Sequence, residues 1–203
     1  MRAAPKPFNL ILLGDPASGK ATQAARLSKR HGMRDLDMGR EVRRPSVRKK
    51  FDYARTTAIG HLTPTGVVRE IFHHVIRTTP ARKGILFNGT PKMIGEAKLV
   101  EKWLRESRRA DPFVVYLHIS TKEVIRRTRK RREYVNGKLV KRDDDALRAL
   151  RNRKKYYREQ VSRTWAFFRK RYAARMISGM GTEEEVARRL EAAIKKFHES
   201  QNA

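Results

Sequence analysis

Gly14 and Gly19 bracket Asp15, Pro16, Ala17 and Ser18, Lys20 follows at once, and Thr22 stands two places further on. Residues of these types at this spacing can hold phosphate. Glycine takes backbone angles closed to other residues. The amides around Ala17, Ser18 and Gly19 can therefore turn inward on an anion. If a helix begins at Lys20, the positive end of its dipole points at the same place. Lys20 adds a point charge for the outer phosphates. The strict form of this loop has Ser or Thr directly after the lysine; Ala21 stands there, and Thr22 supplies the hydroxyl one place later.

A second set of residues suits the same chemistry. Arg127, Arg131, Arg142 and Arg153 lie in the basic second half of the chain. Guanidinium forks match phosphate oxygens two at a time. Asp143, Asp144 and Asp145 interrupt that basic run, with Tyr157 four places beyond Arg153. Solvated helix faces would also carry arginines, and three acids would also suit a helix N-terminus.

These residues need a scaffold. An apolar run at 8–13 reads as a buried strand, and residues 20–31 as a helix closing at His31 and Gly32. Residues 34–79 read as helix-rich, broken at Gly60 and Pro64. Ile85, Leu86 and Phe87 form a short strand, 94–107 a helix, and 113–119 the clearest buried strand. A helix over 121–132 starts at a Thr121 cap. Asn136-Gly137 between alternating residues 134–140 predicts a hairpin. A long basic helical region spans 144–174, and Met176 and Ile177 form a last strand. Thr182 caps a final helix, with Glu183, Glu184 and Glu185 in its first turn and Lys195 and Lys196 near its end. Strands alternating with helices predict an α/β fold with a mainly parallel central sheet flanked by helices in three layers.

The chain has 203 residues, enough for one well-cored domain. It has no cysteine, which excludes a disulfide framework and a thiolate metal site. The apolar stretch before Gly14 is too short for a membrane span or a signal core, so a cytoplasmic protein is expected. Lys and Arg total 49 against 21 Asp and Glu, a formal charge of +28. Such a field draws polyanions, nucleic acid and phosphorylated ligands alike. The charge is spread over 40–50, 105–109, 126–132 and 148–175 instead of one tail.

In order along the chain stand the loop from Gly14 to Thr22, then Asp37-Met38-Gly39-Arg40-Glu41-Val42-Arg43, Leu62-Thr63-Pro64, Asn88-Gly89-Thr90-Pro91-Lys92, Arg127 with Arg131, and Arg142 with Asp144 and Asp145 before Arg153 and Tyr157. Together they resemble the adenylate kinase family of nucleoside monophosphate kinases, in its short-lid form, over nearly the whole chain. The resemblance implies a P-loop NTPase fold with a monophosphate-binding insert near 38–68 and a lid near 132–141. It implies phosphoryl transfer from ATP to AMP with Mg2+, catalysed by positioning and charge neutralisation, in a monomer with no metal site of its own. Lys20, Arg127, Arg131, Arg142 and Arg153 would surround the transferring group. Gly14, Ala17, Ser18, Gly19, Lys20, Ala21 and Thr22 would bind ATP. Arg127 would also lie along the adenine, with the backbone of Gly179 to Gly181 at its edge. Met38, Gly39, Arg43, Thr63, Gly89, Lys92 and Glu96 would line the monophosphate site. Asp144 and Asp145 would help close the lid.

Some positions depart from the family pattern. Arg40 and Asn88 stand where the family carries the two acids that orient magnesium-bound water. Lys92 stands for an arginine, and Glu96 for the glutamine that reads the AMP base. Two readings follow. One is an active kinase with an altered acceptor half. The other is a catalytically impaired kinase-fold protein that binds RNA or a ribosomal particle through its basic surface.

Overall fold

The structure is a computed structural model that describes residues 7–59, 61–130, 133–135, 138–140 and 157–201. Strand β1 (Asn9–Gly14) is buried along its whole length. It leads through the glycine-bounded loop into α1 (Lys20–Arg30). β2 (Arg34–Asp37) follows, then the short helices α2 (Met38–Glu41) and α3 (Pro45–Arg48), a 3-10 turn at Thr57–Ile59, and α4 (Thr65–Thr78). β3 (Ile85–Asn88), α5 (Ile94–Glu106), β4 (Pro112–His118) and α6 (Thr121–Lys130) continue the alternation. After the pair β5 (Glu133–Val135) and β6 (Lys138–Val140) come a π turn at Tyr157–Val161, α7 (Ser162–Arg169), β7 (Ala174–Ser178) and α8 (Glu183–Gln201).

Five strands form one parallel sheet in the order β2-β3-β1-β4-β7. β1 lies at its centre, so the loop after Gly14 opens at the carboxyl edge between β3 and β4. Ligands of open parallel sheets bind at such an edge. The period of two along β1 builds the three layers. Leu10 and Leu12 face Ala24 and Leu27 of α1 and Val186, Leu190 and Ile194 of α8. Ile11 and Leu13 face Phe72 of α4, Val100 of α5 and Phe168 of α7. Each buried Leu, Ile, Val or Phe side chain among these contributes about 1.5–3 kcal/mol. Phe87 and Phe72 meet edge to face at 6.2 Å in the second of these layers.

Several expectations are corrected. Residues 34–37 are a strand within the region read as helix-rich. Arg34, Asp35 and Asp37 are poor strand formers, and Leu36 alone among the four is fully buried. The strand exists because β3 pairs with it, Leu36 opposite Phe87. The cap of α6 is Ser120, whose hydroxyl accepts from the Glu123 amide at 3.3 Å; Thr121 is already helical. Helix ends at Arg169 instead of 174, because residues 174–178 pair with β4. The last strand is correspondingly longer than Met176 and Ile177. The two strands of the expected hairpin pair antiparallel, with Tyr134 opposite Leu139, and its turn at 136–137 lies outside the described residues. Thr182 does cap α8: its hydroxyl accepts from the Glu185 amide at 3.2 Å, and Glu185 accepts from the Thr182 amide at 2.8 Å. Among the described residues no helix is long and apolar enough to cross a membrane.

Candidate active site

The loop after β1 has the backbone its sequence demands. Gly14 has φ 151° and Gly19 φ 91°. A Cβ on Gly14 would run into the Leu117 carbonyl of β4, so only glycine lets the two strands close there. Ala17 bears a left-handed φ of 57°. Ser18 is buried, and its amide donates to the Asp15 carbonyl at 3.2 Å. The Lys20 ammonium turns back into the loop. It donates to the Gly14 carbonyl at 2.7 Å, the Asp15 carbonyl at 2.6 Å and the Ser18 hydroxyl at 3.3 Å. Ala21 and Thr22 are exposed in the first turn of α1.

Asp15, which was assigned no role from sequence, locks this loop to β4. Its carboxylate accepts from the Tyr116 hydroxyl at 2.8 Å and from the Ile119 amide at 2.9 Å, and it lies 2.8 Å from His118 Nδ1. The partners lie more than 100 residues away. No local spacing announces them.

The ends of β2 and β3 supply the neighbouring wall. Gly89, at φ 68°, donates its amide to the Leu12 carbonyl at 2.9 Å. A Cβ on it would lie 3.6 Å from Lys20 Cε, which puts the β3 terminus beside the lysine. The peptide Thr90–Pro91 is cis. Asn88 is buried, and its amide donates to Asp35 Oδ1 at 3.4 Å. The Arg40 guanidinium donates to the Asp35 carbonyl at 3.1 Å and stands 3.6 Å from Asp35 Oδ2. Burial pushes the Asp35 carboxyl above its ordinary value, and Arg40 works against that rise. Asp35 is the carboxylate that sequence reading passed over. It lies between the two positions, 40 and 88, where acids were missing.

The other residues assigned to the monophosphate site divide. The Arg43 guanidinium nitrogens lie 3.6 and 3.8 Å from where a Cβ on Gly39 would be, so Arg43 covers Gly39. Met38 is 5% exposed and its side chain belongs to the apolar core with Val42, Tyr53 and Phe72. Only its backbone can face a ligand. Thr63 Oγ1 lies 2.9 Å from Thr57 Oγ1. Lys92 accepts from the Thr164 hydroxyl at its carbonyl, 3.1 Å away. Glu96 is buried and caps α5: Oε2 accepts from the Lys92 amide at 2.8 Å and the Met93 amide at 3.4 Å. Burial raises its carboxyl; those amides and the Lys92 charge oppose the rise.

On the far side of the loop, Arg127 donates from Nη2 to the Gly179 carbonyl at 3.0 Å and from Nε to Glu123 at 2.5 Å. Gly181 has φ 98°, and a Cβ there would collide with the Glu185 carboxylate. Arg131, Arg142, Arg153, Asp144 and Asp145 lie outside the described residues.

A glycine-bounded loop at the central strand of a parallel sheet, with its lysine folded in, defines a phosphate-binding P-loop core. The comparisons agree. The sequence model of the family described as Adenylate kinase matches residues 12–173. An adenylate kinase of Porphyromonas gingivalis is 28% identical over 199 residues, 96% of this chain and all of the relative. Another, of Azobacteroides pseudotrichonymphae, is 31% identical over 183 residues, 88% of this chain and 93% of the relative. The adenylate kinase of Thermus thermophilus is 30% identical over 188 residues, 91% of this chain and 96% of the relative. The chain belongs to the adenylate kinase family. It is an ATP-dependent nucleoside monophosphate kinase.

Proposed function

We propose that this chain transfers the γ-phosphoryl group of ATP to AMP, giving two ADP. The observation that carries the reading is the Lys20 ammonium, 2.7 and 2.6 Å from the Gly14 and Asp15 carbonyls, beside Gly89 at the edge of the sheet. An ammonium held by loop carbonyls is exchangeable for one on phosphate oxygens. Gly14, Ala17, Ser18, Gly19, Lys20, Ala21 and Thr22 bind the triphosphate in this reading. Arg127 carries the donor base against residues 179–181. Arg131, Arg142 and Arg153 are assigned to the transferring group by the resemblance alone, as are Asp144 and Asp145 to lid closure.

The acceptor half includes Gly39, Arg43, Thr63, Gly89 and Lys92, with Met38 through its backbone. Arg43 beside Gly39 is a cation for the AMP phosphate. Glu96 spends Oε2 on the α5 cap. Its second oxygen is an acceptor suited to a base that carries an amino group.

Magnesium fits as an ion that arrives with the nucleotide. Asp35 and the Asn88 carbonyl are oxygen donors of the kind that meet a magnesium water shell. When bound, the ion would supply positive charge against the transferring phosphoryl group, with Asp35 and the Asn88 carbonyl as the residues to hold its water shell. Localisation in the cytoplasm and a monomeric state complete the proposal.

A coupled assay of ADP formation, with ATP and each nucleoside monophosphate in turn, tests it. AMP should be the fastest acceptor. Faster turnover of another monophosphate would overturn the choice of acceptor, and no turnover with any would favour the RNA-binding alternative.

A further inference from the structure

Glu123 has no part in the reaction as described, yet it is buried on α6 and heavily bonded. Oε2 accepts from Arg126 Nε at 2.7 Å, and Oε1 accepts from Arg126 Nη2 at 2.6 Å and Arg127 Nε at 2.5 Å. The spacings i, i+3 and i, i+4 put all three side chains on one helix face. The two arginines differ in setting. Arg126 is 56% exposed, whereas Arg127 is 23% exposed. Among the described residues, Arg127 and not Arg126 reaches a second fixed partner, the Gly179 carbonyl.

Gly179 is itself clamped. Its amide donates to the His118 carbonyl at 2.8 Å. A Cβ on it would lie 3.1 Å from the Ser18 carbonyl and 3.0 Å from Ile119 Cγ2. From the other side, Arg189 of α8 donates to the Ser178 carbonyl at 3.1 Å and the Met180 carbonyl at 2.5 Å. The phosphate loop, residues 178–181, Arg127 and Glu123 thus form one contiguous chain of contacts. Guanidinium donors lie in the plane of the group. Bonds from Nε and Nη2 therefore fix that plane without using either face.

We propose that Glu123 is a positioning residue for the donor nucleotide, holding the Arg127 guanidinium plane beside residues 178–181 so that one face receives the base. This rests on the assignment of Arg127 to the donor base. A purely electrostatic role predicts the opposite sign. Removing a carboxylate adds one unit of positive charge near the site, which should leave polyphosphate binding unchanged or tighter. Loss of positioning should instead weaken a ligand only if it carries a base.

The test compares ATP with inorganic tripolyphosphate, each titrated against the full chain and its variants. Glu123→Gln keeps the volume and loses the charge. It should weaken ATP about two- to five-fold, the worth of a cation–π contact. The KM for ATP should rise equally, with kcat and the KM for AMP unchanged and tripolyphosphate no weaker. Glu123→Asp keeps the charge but not the reach, and should show the same ATP-selective loss should the Gln variant fail to fold. Arg126→Ala, which removes two of the three bonds to the same carboxylate, should leave the KM for ATP unchanged. Equal weakening of both ligands, or unaltered ATP affinity in the Glu123 variants while Arg127→Ala weakens it, overturns the proposal. If Arg127→Ala itself leaves ATP affinity unchanged, the assignment of Arg127 fails first, and this inference with it.

Discussion

Asn88→Asp restores an acid where the family carries one, and the structure shows what it must contend with. The Asn88 amide nitrogen lies 3.4 Å from Asp35 Oδ1. The substitution exchanges an attraction for a repulsion between two carboxylates. At that separation the repulsion is about 1 kcal/mol in a water-like surrounding and about 5 kcal/mol at an effective dielectric of about 20. Arg40, 3.6 Å from the other Asp35 oxygen, offsets part of it. Burial already raises the Asp35 carboxyl, and a second carboxylate raises it further. The sign follows. A carboxyl whose folded pKa is raised leaves the protein most stable below its unfolded pKa, and stability falls as pH climbs through the raised value. The variant should match the parent near pH 4 and melt at least about 3 °C lower at pH 8, since about 1 kcal/mol shifts a chain of this size by about 2–4 °C. Mg2+ with ATP should recover that loss by binding the new acid. The Mg2+ concentration for half-maximal transfer should fall. Asp35→Asn combined with Asn88→Asp exchanges the two groups and should restore melting at pH 8. Calorimetry at two pH values and a Mg2+ titration of the coupled assay are the measurements. Identical melting at pH 8 would show that positions 35 and 88 do not face each other. Coincident Mg2+ curves would show that position 88 does not meet the metal's water shell.

Three further outcomes are expected. Lys20→Ala should lose ATP binding or transfer while melting as a folded protein, because the ammonium bonds carbonyls of the loop; unchanged affinity and rate would refute the loop assignment. Hydrogen bonds from Arg126 and then Arg127 hold the Glu123 carboxyl down at about 2. Its contribution is therefore complete above the ordinary carboxylate value and lost as pH falls toward 2; an NMR titration midpoint near 4.5, or an acid-melting profile unaltered in Glu123→Gln, would contradict this. The formal charge of +28 should give non-specific RNA binding that weakens log-linearly with salt, read by fluorescence anisotropy. Absence of binding at low salt would remove the basis for an RNA partner.

What the sequence determined is what local chemistry and period can encode. The glycines at 14 and 19 with Lys20 announced a phosphate loop, because the backbone angles and the charge belong to those residues alone. Largely apolar runs at 8–13 and 113–119, interrupted by Asn9 and His118, announced buried parallel strands. Thr182 with Glu185 announced a helix start. What only the tertiary structure decided depends on partners far along the chain. β2 lies in a stretch that reads as helix-rich until β3 pairs with it. Asp15 is one more loop residue until Tyr116, His118 and Ile119 close on it from β4. Asp35 becomes the acid between positions 40 and 88 only because Leu36 sits opposite Phe87 in the sheet. The Met38 side chain joins the core once α4 packs there. Burial and pairing between distant segments are properties of the assembled sheet, and no window along the chain contains them.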